Sequence, residues 1–443
     1  MNIALLGRLL RGIFISWSVI VPALAAETGS APFEGASTPL PGYSYGKPRE
    51  EFFKYKDEKP LLTITAANVK DYADKLAPGE LEMIKARPGY QMNIFPTHRD
   101  CVVPDFVKKN SEANVTAAKL DSTGAFLETA VLPGAPFPNP KNGAEAMWNF
   151  LVRYQGVGFI YPKIVTATSP APGSKTWITA TQEPWTMYFP WGRRGQNTPT
   201  QVNGKYFYIY YLYSEPTAFA GEGVSQIYYF SNQPVETFFY FPGQRRVRRL
   251  PAYTYDTPQI GYENNYTVDD TYLFSGPIDR YDWTIVGTKD LYVPYNNFGM
   301  YRFDKPYHDV MKDDVINPAN RRYELHTVIE VRGKVKATAR HISETRVLYL
   351  DPDSWNAVAG EDYDGQGKLW KAREGFVIPV WELGSACDAP AFVDYNITNG
   401  RYVHDGGITG QGKDIQWFLD AGDKPFFTAD YYSAAALQQR SER

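Results

Sequence analysis

Two cysteines, five scattered histidines, one run of arginines and one acidic loop are the side chains of this chain whose chemistry stands out. Cys101 and Cys387 leave two readings open, a long-range disulfide in an oxidising compartment or two buried free thiols. His98, His308, His326, His341 and His404 each stand alone, without a second His or Cys at metal-ligand spacing. They are expected to be structural, and no metal is expected. The stretch 361–367, EDYDGQG, alternates acidic residues as a calcium loop does. Counted from Asp362, however, its twelfth position is Arg373, a cation where that loop needs a bidentate glutamate. A hairpin turning at Asp364-Gly365 is the better reading. The serine elbow, the zinc-binding HExxH helix, the phosphate loop and the dinucleotide fingerprint are missing from the sequence, so no catalytic residue and no cofactor is assigned.

The sharpest charge cluster is Arg245-Arg246-Val247-Arg248-Arg249. At strand spacing Arg246 and Arg248 share one face, and Arg245, Val247 and Arg249 the other. Such a ladder can pair with sheet carboxylates, for which Asp279 and Asp282 are candidates, or clamp an anionic head group bidentately. Nucleic acid is not an expected partner, because this basic run is alone in an acidic chain.

The elements that must position these groups change character along the chain. Val69, Tyr72, Ala73 and Leu76 keep one helical face that Thr65 can cap and Pro78-Gly79 ends, and a second short helix runs toward Arg87-Pro88-Gly89. Asn142 with Glu145 forms a capping-box pattern, followed by Met147, Phe150, Leu151 and Tyr154 at helical spacing. After Gly156 the period becomes two. Segments 205–213, 225–230, 236–241, 322–331 and 345–350 are rich in Tyr, Phe, Ile and Val and are bounded by turn formers. Along residues 206–213 both faces are apolar or aromatic, so neither should face water directly. Helices over 65–87 and 143–155 can cover one face, and the other is either covered by packed elements as well or lines an apolar cavity. Tyr208, Tyr210, Tyr228, Phe230 and Phe239 are the expected wall, with Arg246 and Arg248 at its rim.

The chain start decides the expected compartment. Arg8 and Arg11 precede an apolar stretch over 13–21, and Ala23-Leu24-Ala25 supplies the small residues of a cleavage site, so residues 1–25 read as a secretory signal peptide. Removing its two arginines takes the formal charge from −3 to −5. Residues 26–60 read as an extended arm rich in Pro, Gly and Ser, and 61–443 as one domain. That domain divides into a helical subregion, 61–155, a main antiparallel sheet, 156–375, and a C-terminal segment, 376–443. The fold class is mostly β (α+β).

The runs Phe95-Pro96-Thr97-His98-Arg99, Pro136-Phe137-Pro138 with Asn142-Gly143 and Trp148-Asn149, residues 245–250 with Tyr255-Asp256, residues 279–283, and Tyr323-Glu324-Leu325-His326 occur in the order of one known family. Over roughly residues 60–435 the chain resembles the domain-of-unknown-function family 1329, exported bacterial proteins often labelled outer-membrane lipoprotein-sorting protein. The resemblance implies the curved antiparallel sheet of the LolA/LolB-like carriers, an open half-barrel with a few covering helices near the N-terminus that can enclose acyl chains. It also implies a neighbourhood of outer-membrane or efflux-type transporters. Phe150 stands where the family is expected to have a histidine, so no role of that histidine passes to this chain.

Together these readings describe a periplasmic carrier of a hydrophobic or amphiphilic ligand, such as a lipid or a lipoprotein acyl chain, that does no chemistry on it. Two alternatives stand beside it. A periplasmic hydrolase or isomerase acting on a hydrophobic or glycan-like substrate would show paired carboxylates in a pocket. A scaffold subunit at the outer membrane would show an exposed aromatic patch and no cavity.

Overall fold

Hydrophobic alternation dominates the chain after Gly156, and the computed structural model, which describes residues 40–442, resolves it into one continuous sheet of 17 strands among the described residues. The expected signal peptide lies outside those residues. From one edge the main path of the sheet runs Tyr281–Pro294, Tyr323–Val335, Thr345–Leu350, Ala357–Tyr363, Leu369–Gly375, Phe392–Asn396 and Tyr402–Gly407. It continues through Ile164–Thr168, Ile178–Tyr188, Lys205–Glu215, Gly223–Tyr229 and Glu236–Phe241 to the other edge, Arg246–Arg249. Every neighbour on this path is antiparallel, and the two edge strands do not pair with each other, so the sheet is open.

The first half of the sheet carries ionic side chains inward. Lys371 and Arg373 alternate onto one face of their strand, where Asp362 and Asp394 lie across from them on neighbouring strands. The short segment Val268–Leu273 drops Asp269 and Asp270 onto the same face, against Arg346, Lys371 and Arg373. All of these groups are fully buried, which is tolerable only because each charge meets opposite charge. Burial pushes the Asp270 carboxyl up, but Lys371, Arg373 and Arg346 outweigh it and hold it well below the usual carboxylate range. Arg373, the cation that disqualifies the 361–367 stretch as a calcium loop, is thus a core residue. Asp364 closes the hairpin beside it, accepting from the backbone N–H groups of Gln366 and Lys368.

On the opposite face lies the helix Pro78–Ala86. Pro78 does not end a helix here. It occupies the first turn, where its missing N–H costs nothing, and the preceding segment Val69–Lys75 is a 3₁₀ helix. Gly79 lets the helix approach the sheet: a Cβ there would stand 2.9 Å from Ala372 Cβ. The helix Gly143–Leu151 starts as its capping pattern indicates, with Asn142 Oδ1 accepting from Glu145 N at 3.0 Å and Glu145 Oε2 accepting from Lys141 N at 2.6 Å. It packs on the edge strand at Trp283-Thr284, so closely that only glycine fits at 143.

The aromatic second half is covered differently from the sequence expectation. The helix Gly143–Leu151 meets it near Tyr206 and Phe230, through Trp148 and the carbonyl of Leu151. One face is roofed by the chain end, 3₁₀ turns Pro425–Phe427 and Ala429–Tyr432 and the helix Ala434–Ser441, whose Phe427, Tyr432 and Leu437 cluster with Tyr188, Tyr208, Tyr210 and Tyr240. Tyr253, Tyr262, Tyr266 and Tyr272 close over the other.

The N-terminal arm is not merely extended. Arg49, in the 3₁₀ helix Arg49–Phe52, is fully buried. Its guanidinium donates to both oxygens of Glu382 at 2.8 Å, to Asp414 Oδ1 at 3.2 Å and to the Ile415 carbonyl at 2.7 Å, and stacks over Trp417.

Candidate functional site

The seven expected ligand residues do not gather around one cavity. Tyr208 and Tyr210 face the C-terminal roof, with Tyr208 5.0 Å from the Tyr432 ring and Tyr210 5.3 Å from that of Tyr431. Tyr228 and Phe239 belong to the opposite face, by their registry with Phe207 and with Val224. Tyr228 stacks on Phe207 at 4.1 Å and borders a polar chamber of only about 40 Å³, shared with Gln182, Tyr262 and Asp405. Phe230 is buried against Trp148 and Tyr206. Arg246 and Arg248 are exposed on the last strand. The physical reason is simple: aromatic residues on both faces of a strand are satisfied by two packed covers as well as by a ligand. Asp279 and Asp282 are not the partners of the arginines either. Asp279 accepts from the Tyr255 hydroxyl, Asp282 is exposed, and among the described residues Arg249 alone of the run has a carboxylate, Glu236, at 3.8 Å.

A cavity of about 390 Å³ lies elsewhere, beside Cys101 and Cys387. The two cysteines are joined in the structure, with Cα atoms 5.1 Å apart, and the bond ties the loop before residue 105 to the strand Ala386–Asp388.

The outer wall of this cavity is the helix Asp105–Ala117. Pro104 precedes it, and its carbonyl accepts from the N–H groups of Val107 and Lys108. The buried face of the helix is unusual in being built on asparagines one turn apart. Asn110 Nδ2 donates to the carbonyls of Pro133 and Gly195, each at 2.8 Å. Asn114 donates to Val131 and Ala135 and accepts from Val131 N at 2.7 Å. These bonds replace the hydrophobic stripe a docked helix normally uses. Gly134 allows the close approach, since a Cβ there would come within 2.8 Å of Asn110 Cβ. Val107 and Ser111 from this helix and Ala135 from the loop it holds then face the cavity.

The facing wall comes from the 352–355 turn and from the end of the helix Gly143–Leu151. Asp351 organises the turn by accepting from Ser354 Oγ at 2.5 Å and from Tyr295 OH at 3.1 Å. Trp355 sits at φ 59°, a left-handed conformation that a non-glycine residue adopts at some cost, and lines the cavity with Pro352.

At the floor the charge is already spent. Arg153 donates to Asn356 at 2.8 Å, to the Phe150 carbonyl at 3.2 Å and to Asp388 at 3.3 Å, while Asp388 also accepts from Gln155 and Trp417. Tyr154 differs. It is 8% exposed and lines the cavity, but its hydroxyl oxygen is itself buried and has no hydrogen-bond partner among the described residues, and burial raises its pKa far above the ordinary phenol value. The site therefore offers aliphatic walls and a disulfide, with Lys108, Glu112 and Asp353 at the solvent side. Such an arrangement can desolvate an alkyl group.

Sequence reasoning placed Tyr154 in the core stripe of its helix and did not read the Asp105–Ala117 helix at all. Among the described residues no group of three or more His, Cys, Asp or Glu side chains is arranged to hold a metal ion, and no helix is long and apolar enough to cross a membrane.

Comparison with known proteins agrees with the run of motifs. "Uncharacterized protein PA3922" of Pseudomonas aeruginosa is 34% identical over 399 residues, covering 88% of this chain and 83% of that protein. A crystal structure of a domain from Vibrio parahaemolyticus named for outer-membrane lipoprotein sorting superposes with a TM-score of 0.44 at 14% identity, over 67% of this chain and 98% of that one. A DUF1329 family protein from Desulfovibrio piger gives a TM-score of 0.40 at 12% identity, over 64% and 92%. No residue role passes between structures at such scores. The family model described as "Protein of unknown function (DUF1329)" matches residues 63–438, and the chain belongs to that family.

Proposed function

We propose that this protein is a periplasmic carrier that holds one hydrophobic or amphiphilic molecule in the cavity beside Cys101–Cys387, in the service of an outer-membrane or efflux-type transport system. The observation that carries the reading is the cavity itself. Its volume of about 390 Å³ falls within the range of roughly 300–1,000 Å³ usual for small-molecule sites, and its walls are predominantly aliphatic. Each buried CH₂ of a guest is worth about 0.8 kcal/mol, so about ten of them match the roughly 8 kcal/mol of micromolar retention before the cost of association is counted. The Arg153 charge at the floor is already met by Asp388, which favours an uncharged guest over an anion. The order of motifs shared with the family and the reading of residues 1–25 as a signal peptide support a location outside the cytoplasm.

A naphthylamine probe whose fluorescence rises in apolar surroundings tests the reading. It is expected to bind the purified protein and to be displaced by a single-chain alcohol or fatty acid, and Ala135→Trp, which fills the cavity mouth, is expected to abolish both effects. Equal probe binding by the wild type and Ala135→Trp would count against the site.

A further inference from the structure

We propose that the free edge of the sheet at Arg246–Arg249 docks an extended acidic peptide, which adds to it as a further antiparallel strand. This is independent of what the cavity holds.

The edge is open. Arg246–Arg249 pairs on one side with Glu236–Phe241 and, among the described residues, has no strand on the other. Leu250 N donates to the Thr237 carbonyl at 2.8 Å, and hydrogen-bonded and non-bonded positions alternate along an antiparallel pair. Arg248 and Arg246 therefore bond inward with Leu250, and the N–H and C=O groups of Val247 and Arg249 point away from the sheet. These are the groups a new strand would use.

The side chains specify the guest. Arg245, Arg246, Arg248 and Arg249 are all exposed, and among the described residues only Arg249 has a carboxylate within 4 Å, Glu236 at 3.8 Å. A charged residue or two is enough to protect an edge from aggregation. Four guanidiniums within five positions of a chain that is acidic overall concentrate far more positive charge than that defence needs. Guanidinium forks also suit carboxylates in particular, because they bind them bidentately.

The registry separates a peptide from a membrane. Arg246 and Arg248 project on the face of Phe241 and Phe239, whereas Arg249 projects on the face of Phe238. A membrane plane would engage one of these faces and would leave the outward backbone groups unused. An added strand with acidic residues on both of its faces engages both sets of arginines and the backbone together.

The test uses the mature protein and a fluorescent octapeptide in which Glu-Glu and Val-Val pairs alternate, so that both faces of the strand carry glutamate, read by anisotropy at low salt and by amide hydrogen exchange. Binding is expected to weaken about tenfold in Arg246→Ser/Arg248→Ser and to fall steeply with added salt. It is also expected to weaken at least fivefold in Val247→Pro, which removes an outward N–H and no bond to the neighbouring strand. Exchange at Val247 and Arg249 should slow when the peptide binds. The double arginine variant alters only exposed side chains, so it decides the matter even if Val247→Pro perturbs the fold. The proposal is overturned if the peptide does not bind, or if it binds the double variant equally well. Arginine-dependent binding to phosphatidylglycerol vesicles, with exchange at Val247 and Arg249 unchanged by the peptide, would overturn it in favour of a membrane.

Discussion

The Lys371 ammonium donates to Asp270 Oδ2 at 2.8 Å, and this bond fastens the Val268–Leu273 segment to the middle of the sheet. Val268, Tyr272 and Leu273 of the segment are buried in the apolar core, and the two aspartates add an ionic attachment to it. Lys371→Met should destabilise the protein by about 3 kcal/mol or more, because Asp270 and Asp394 would each keep a buried charge with a partner missing. Urea unfolding followed by tryptophan fluorescence measures it. A change within about 0.5 kcal/mol would mean that the network is dispensable.

Asp414 gives a pH dependence whose sign can be worked out. It accepts from Arg49, but burial outweighs that guanidinium, which Glu382 shares, and pushes the carboxyl up to about 6. The value in the unfolded chain is about 3.9. The folded value is the higher one, so the group's contribution is fully present below about pH 4 and is lost as pH rises through about 6. Asp414→Asn removes the titration. The stability at pH 5 minus that at pH 7 should be about 1 kcal/mol more positive in the wild type than in Asp414→Asn, and equal differences in thermal melts would show that Asp414 ionises normally.

The Cys101–Cys387 bond closes a loop spanning 286 positions. Cys101→Ser/Cys387→Ser should lower stability by about 2–5 kcal/mol, through release of the unfolded chain. Both cysteines line the cavity, so the same variant should also release the naphthylamine probe faster. Unchanged melting after exposure to dithiothreitol, with thiol titration confirming reduction, would contradict the first expectation.

Tyr154→Phe tests the buried hydroxyl. Among the described residues it has no hydrogen-bond partner, so removing it should cost nothing or stabilise by up to about 1 kcal/mol. Urea unfolding measures the change. A loss of more than about 1 kcal/mol would show that the hydroxyl has a partner.

What was legible in the sequence was what is local. The Asn142–Glu145 cap, the strands Glu236–Phe241 and Thr345–Leu350 and the turn at Asp364 depend on residues within a few positions of one another. Arg49 was not legible, because the Pro- and Gly-rich arm around it resembles a linker and its acidic partners, Glu382 and Asp414, are 333 and 365 positions away. The outer wall of the cavity was hidden for a different reason. Its helix docks through Asn110 and Asn114, and a period of apolar residues cannot reveal a face that is held by amide hydrogen bonds to the backbone. The aromatic strands were recognised as strands, but a pattern of two apolar faces does not tell a side-chain cover from a ligand.

Native mass spectrometry of the protein purified from periplasm, wild type beside Ala135→Trp, tests the carrier account most directly. The wild type should carry a discrete added mass that solvent extraction releases as a hydrophobic or amphiphilic molecule, and Ala135→Trp, folded to the same melting temperature, should carry none. An identical passenger on both proteins, or none on either, would contradict it.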